Sequence, residues 1–138
     1  MGEGCPFCRI VSGEAAASIV YEDENVLAFM DLNPISVGHT LVIPKQHFEN
    51  IYEVPNTLLA ELTAAVKRVC VAVKKAVDAD GIRVIQLNGR AAGQVVFHIH
   101  FHVVPAHSDA TAGTVHHRRV MSSRKELDET AQKIRENI

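Results

Sequence analysis

Three histidines alternate with apolar residues in His98-Ile99-His100-Phe101-His102-Val103-Val104. On a β-strand, successive side chains point to opposite faces. This order therefore puts three imidazoles on one face, about 6–7 Å apart along the strand, and Ile99, Phe101 and Val103 on the other. Two chemistries suit such a row. Neutral imidazoles are zinc ligands. Imidazole is also a nucleophile and a general acid–base near neutral pH, because its unperturbed pKa is about 6.5. A solvated strand face uses Lys, Glu or Thr more often, and a lone histidine there carries little meaning. Three on one face, backed by three apolar residues, point to chemistry.

Other residues carry weaker signals. Cys5-x-x-Cys8 reads as half a zinc site, a redox pair or a chance pairing, and a tetrahedral zinc needs two more ligands. Asp31, at the end of an apolar run, suits a turn residue bonding its own backbone. Cys70 lies within a helical stretch and reads as a buried apolar filler rather than a reactive thiol. His107, His116 and His117 read as solvated loop histidines.

Positioning these residues falls to a chain of ordinary composition. With 138 residues, 47% of them hydrophobic and 22% charged, it suits one globular domain with a real core. Fourteen basic against 16 acidic residues give a formal charge of −2, which offers no electrostatic basis for binding nucleic acid or an anionic membrane. No apolar run approaches a membrane span, the N-terminus lacks the pattern of a signal peptide, and three cysteines suggest no disulfide framework. A cytoplasmic protein is the expectation.

Pro6 and Gly13 bracket a short helix over about 6–12. Ile19-Val20-Tyr21 and 26–30 read as a hairpin around the polar turn 22–25. Residues 39–43 return as a strand stopped by Pro44. Leu58, Leu62, Val66, Val69, Val73 and Val77 form one helical stripe over 56–79, with Asn56 as cap and Gly81 beyond the end. Residues 82–87 are β-rich, and the loop 88–93 leads into the histidine strand from about Val95. Ser123-Arg124-Lys125-Glu126 matches a capping box and opens a last amphipathic helix.

The histidine run resembles the signature His-φ-His-φ-His-φ-φ (φ apolar) of the histidine triad (HIT) nucleotide-binding hydrolases. Phe29-Met30-Asp31-Leu32, Gly38-His39-Thr40-Leu41-Val42-Ile43-Pro44-Lys45-Gln46-His47, Leu87-Asn88-Gly89 and Ala92-Gly93-Gln94 follow the family's order and approximate spacing. The likeness covers about residues 5–105 and is strongest to the Hint branch, in its bacterial-type members with an N-terminal Cys-x-x-Cys. It implies an α+β, HIT-like fold: an antiparallel sheet of about five strands with one long helix and short flanking helices. It also implies a single domain over 1–138, with its core at about 5–105 and a C-terminal loop and helix over 106–138. A homodimer follows too, its sheets joined across the interface and the long helix contributing.

The resemblance also assigns roles. His100 attacks the α-phosphorus of a nucleotide conjugate, and water then releases the nucleoside monophosphate. His102 holds the phosphate. His39 and Asn88 add donors to it, and the backbone of Gly93-Gln94 offers N–H groups to the developing charge. Asp31 takes the ribose hydroxyls, and Phe7, Ile10, Phe29 and Leu32 wall the base. Cys5, Cys8, His47 and His98 become zinc ligands, which makes His98 structural rather than a proton shuttle. Val95 stands where many Hint members carry Ser or Thr toward the leaving group, and valine donates no hydrogen bond. The implied substrates are nucleoside 5'-phosphoramidates or related nucleotidyl conjugates, with a purine nucleotide of AMP or GMP type as ligand or product. Three other readings stand beside this: a nucleotide-binding sensor with weak turnover, a dinucleoside polyphosphate hydrolase, and a structural metal protein. A nucleotidyl transferase typically ends its triad in glutamine, and His102 argues against it.

Overall fold

The computed structural model describes residues 4–108 and 122–138. Among these, the elements run α1 (Pro6–Val11), β1 (Ile19–Glu22), β2 (Val26–Met30), β3 (Thr40–Pro44), α2 (Asn56–Ala76), β4 (Gly81–Gln86), a 3-10 turn (Arg90–Ala92), β5 (Phe101–Ala106) and α3 (Arg124–Arg135). The strands form one antiparallel sheet in the order β1-β2-β3-β5-β4. His116 and His117 lie outside the described residues.

Both faces of the central strands are covered. Val26, Ala28 and Met30 of β2, Val42 of β3, and Ile99, Phe101 and Val103 pack with Leu62, Val66, Val69 and Val73 of α2 and Leu127, Ala131 and Ile134 of α3. On the opposite face, Leu27, Phe29, Leu41 and Ile43 pack with Cys5 and Phe7 of the α1 segment. Strands buried on both faces read as unbroken apolar runs, which is why β2 and β3 show no polar alternation. The hairpin turn is held by Asp23, whose Oδ1 accepts from the N–H groups of Asn25 and Val26 at 2.8 Å each.

Four differences from expectation bear on how the elements are held. Pro44 is the last residue of β3 rather than the stop before it. Pro55, not Asn56, is the N-cap of α2, and Leu59 N–H bonds its carbonyl at 2.9 Å. Helix α2 ends at Ala76, not near 79, and Gly81 belongs to β4. The left-handed residue after the helix is Asp78 (φ 53°). Its N–H reaches Lys75 O, and Ala79 N–H reaches Lys74 O at 3.0 Å, a Schellman closure built on aspartate instead of glycine.

The fourth difference concerns the histidine run. Regular pairing begins at Phe101, opposite Val42, so only His102 of the three histidines sits in a strand. Continuing that register would set Ile99 against Pro44, which has no N–H to give. Residues 98–100 are instead held individually: Ile99 N–H bonds Phe48 O at 2.8 Å, and the His98 ring bonds Pro44 O. The in-and-out alternation survives without the ladder, since Ile99, Phe101 and Val103 all enter the helix-side core.

Candidate active site and metal centre

The three histidines occupy unlike surroundings. His98 is fully buried and His100 is 8% exposed, while His102 is half-buried. The rings of His100 and His102 lie 4.9 Å apart. The ring of Phe7 stands edge-on to His100 at 5.1 Å.

Backbone groups set the tautomers. His100 Nδ1 lies 2.8 Å from the carbonyl oxygen of His98. A carbonyl only accepts, so Nδ1 carries the proton and Nε2 keeps the lone pair. Burial lowers the pKa of His100, against the opposing pull of the His98 carbonyl and the Asp31 carboxylate, so the ring is neutral at neutral pH. His39, fully buried just before β3, accepts the Ile35 N–H on Nδ1 at 3.0 Å. Its proton is then on Nε2, which faces His102 Nδ1 at 2.9 Å and Asp31 Oδ2 at 3.5 Å. His102 Nδ1 accepts that proton's bond, so the neutral His102 ring carries its own hydrogen on Nε2. The outcome is a lone pair on His100 beside an N–H donor on His102. A nucleophile beside a donor for an anionic oxygen is what displacement at phosphorus requires.

His98 faces the other way. Its Nε2–H donates to Pro44 O at 2.8 Å, which leaves the Nδ1 lone pair toward Cys5 Sγ and Cys8 Sγ, each at 3.5 Å, and His47 Nδ1 at 3.2 Å. Cys8 Sγ to His47 Nδ1 is also 3.2 Å. Burial pushes His98 down to about 4, which keeps it neutral. Burial, followed by the Cys5 thiol, pushes Cys8 up to about 11, a deprotonation cost that a bound cation has to offset, while two thiols and two imidazoles make a donor set suited to zinc. Tetrahedral zinc at ordinary bond lengths spans about 3.6 Å between sulfur and nitrogen and about 3.3 Å between two nitrogens. The observed separations fit, and these four residues can hold a metal.

The remaining expected residues divide. Asp31 Oδ1 accepts Asn33 N–H at 2.8 Å, the turn role, while Oδ2 faces His39. Phe7 and Phe29 are buried and touch at 5.4 Å, Ile10 is half-buried beside them, and Leu32 is 54% exposed. Asn88 is spent on scaffold: its Oδ1 accepts from Ile51 N–H and Gln86 Nε2, and its Nδ2 donates to Gln86 Oε1. Gly93 and Gln94 lie at the end of the short 3-10 turn. Their N–H groups bond Arg90 O and Gly89 O at 3.0 Å each and close the loop on itself. Gly93 is required there by its φ of 99°. The Gln94 side chain ties the loop to Glu49 O, Val96 O and Gly89 N–H. Val95 is 85% exposed. Cys70 is half-buried against the helix-side core, with burial raising its pKa. Sequence reasoning missed Ile35 N–H, Pro44 O and Phe48 O, because backbone groups leave no residue-type signal.

Residues 12–109 match the family model described as HIT domain. An uncharacterized HIT-like protein of Saccharolobus solfataricus is 50% identical over 104 residues, 75% of this chain and 75% of that protein. An adenosine 5'-monophosphoramidase of Candida albicans is 35% identical over 111 residues, 78% of this chain and 73% of that protein. A zinc-bound histidine triad family protein of Mycobacterium smegmatis has the same fold at TM-score 0.86 and 37% identity, over 99% of this chain and 94% of that one.

Proposed function

The chain belongs to the HIT domain family, and we propose that it is a nucleotidyl hydrolase that cleaves nucleoside 5'-phosphoramidates or related conjugates, with a purine as base. The observation that carries this reading is the His100 tautomer: its Nδ1–H is committed to His98 O at 2.8 Å, which directs the Nε2 lone pair outward as a nucleophile. The monophosphoramidase from Candida supports the substrate class.

In this mechanism His100 Nε2 attacks the α-phosphorus. The bond from phosphorus to the leaving nitrogen breaks, and the amine departs with a proton. Water then attacks the same phosphorus, the bond to Nε2 breaks, and the nucleoside monophosphate leaves with His100 restored. Splitting one slow displacement into two is the gain from covalent catalysis. His102 donates its Nε2–H to a phosphate oxygen. His39 acts through His102, holding its tautomer, rather than as a separate phosphate donor. Asp31 accepts from the ribose hydroxyls, and Phe7, Ile10, Phe29 and Leu32 flank the base. Val95 brings no proton to the leaving group, so amines that leave with help from water are favoured.

Cys5, Cys8, His47 and His98 would hold zinc, as the zinc-bound mycobacterial relative suggests. Bound there, zinc supplies a structural cross-link between α1 and the segment carrying His100. We read the whole chain as one domain and its assembly as a homodimer through the edge strand β4. The exposed apolar residues Val84 of β4 and Val71 of α2, 49% and 46% exposed, support that reading. Among the described residues, no helix is long and apolar enough to cross a membrane.

The test is incubation with adenosine 5'-phosphoramidate, following AMP release. His100→Ala should abolish turnover and still bind AMP. Hydrolysis by His100→Ala at the parent's rate would contradict the covalent mechanism.

A further inference from the structure

Phe7 joins the two halves of the site. It lies in α1 between Cys5 and Cys8, and its ring meets His100 at 5.1 Å, Phe29 at 5.4 Å and His98 at 5.9 Å, each edge-on. Helix α1 has only 6 residues, far below the length at which a helix holds itself in water. Its place depends on what it is tied to. Besides the apolar contacts of Phe7, Ile10 and Val11 with the sheet, the ties are Cys5 and Cys8, whose sulfurs lie 3.2–3.5 Å from the His47 and His98 nitrogens. The two sulfurs are no more than 4.8 Å apart, and the Cys5 sulfur already accepts the Cys8 N–H at 3.3 Å. Cys8 is half-buried, so a small oxidant can reach it.

We propose that Cys5 and Cys8 are a peroxide-sensitive pair, and that closing them into a disulfide unlatches α1 from His47 and His98 and loosens the nucleotide pocket through Phe7. The proposal rests on the nucleotide and zinc readings above. The chemistry balances with a peroxide as oxidant. The Cys8 thiol first gives up its proton, its sulfur attacks one oxygen of hydrogen peroxide, the O–O bond breaks, and the leaving hydroxide takes that proton and departs as water, which leaves a sulfenic acid on Cys8. The Cys5 sulfur then attacks the Cys8 sulfur, the S–S bond forms and a second water leaves. Two thiols are oxidised by two electrons and one peroxide is reduced to two waters. A disulfide needs its sulfurs about 2.05 Å apart. They cannot close to that distance and also remain donors to both histidine nitrogens, so any metal held there is released.

The test uses the full chain with Cys70→Ser, which leaves Cys5 and Cys8 as the thiols under study. Zinc-loaded protein is titrated with hydrogen peroxide. The readouts are metal passed to a chromogenic chelator, disulfide mapping by mass spectrometry, AMP affinity by calorimetry, and the His100 Hε1 resonance, which the Phe7 ring current shifts. We expect a Cys5–Cys8 disulfide with metal release in step, a move of the His100 signal, and AMP affinity weaker by about 3–10-fold, the worth of one edge-to-face contact. Dithiothreitol with zinc should reverse all of it. In Phe7→Ala the disulfide should form without further loss of AMP affinity. A Cys5–Cys8 disulfide that leaves the His100 signal unchanged overturns the proposal, as does peroxide that fails to join the two cysteines. Reduced protein that carries no zinc counts against the zinc reading, and reduced protein that does not bind AMP counts against the nucleotide reading. In either case the disulfide and resonance readouts still decide the latch.

Discussion

The ring of His100 donates its Nδ1–H to the main-chain carbonyl of His98 across 2.8 Å. Two residues that read as equivalent are thereby made unequal. The backbone of His98 aims the His100 ring, while the His98 ring turns to Pro44 and the cysteine cluster. The same short segment thus supplies a nucleophile on one side and a tether on the other.

His102 and His39 should separate by the size of their effects. Removing one preorganised donor to a transition-state charge costs about 10²–10³ in turnover, and His102→Ala should fall in that range. His39 touches His102 at 2.9 Å and acts through it. His39→Ala should lower kcat by less than His102→Ala and barely alter the two-substitution product with it. Steady-state kinetics of both single variants and the double variant check this.

Gly38 sets the loop that carries His39. Its φ is 103°, and a Cβ there would meet Val77 Cγ1 at 3.0 Å and Pro105 Cγ at 3.3 Å. Gly38→Ala combines left-handed backbone strain with overpacking and should destabilise the fold by about 1–3 kcal/mol. Urea unfolding measures it, and a neutral result would mean that the loop relaxes freely.

The purified protein should carry about one zinc per chain. Chelation should lower Tm, and Cys8→Ser should reduce metal content. Elemental analysis and thermal melts are the measurements. Metal-free protein with unchanged Tm and reactive Cys5 and Cys8 would argue against a structural metal.

Helix α3 opens with a capping box between Ser123 and Glu126. The Ser123 backbone N–H and then its side chain hold the Glu126 carboxyl below its ordinary value. A carboxyl depressed in the folded state stabilises fully above its unfolded pKa, near the ordinary glutamate value, and loses that contribution as pH falls through the folded one. Ser123→Ala should lower Tm by about 3–5 °C at neutral pH. In Glu126→Ala, which removes the depressed carboxyl itself, the Tm gap to the parent should shrink in acid, as thermal melts from pH 7 to pH 3 would show.

Much of this was legible in the sequence for identifiable reasons. The stripe on α2 and the capping box of α3 are local patterns, written in side-chain types, and both appear in the fold. The pairing of β3 with β5 stops where Pro44 has no N–H, and that depends on a register fixed by residues 55 positions or more away. Asp78 takes the left-handed position after α2 in place of a glycine, which residue type alone does not announce. The Cys5, Cys8, His47 and His98 grouping was available from the family resemblance, and the fold brings those four together. The commitment of Asn88 to Gln86 and Ile51, and of the Gly93 and Gln94 N–H groups to their own loop, was not available. Those outcomes depend on which backbone partners the folded loop supplies.

The most direct measurement of the central claim is to mix the protein with excess adenosine 5'-phosphoramidate, quench within the first turnover without acid, and map the chain by mass spectrometry. One adenylyl group is expected on a phosphorus–nitrogen bond to His100, absent from His100→Ala. Steady release of AMP with no adduct on His100 at any quench time, or an adduct on another residue, would contradict it.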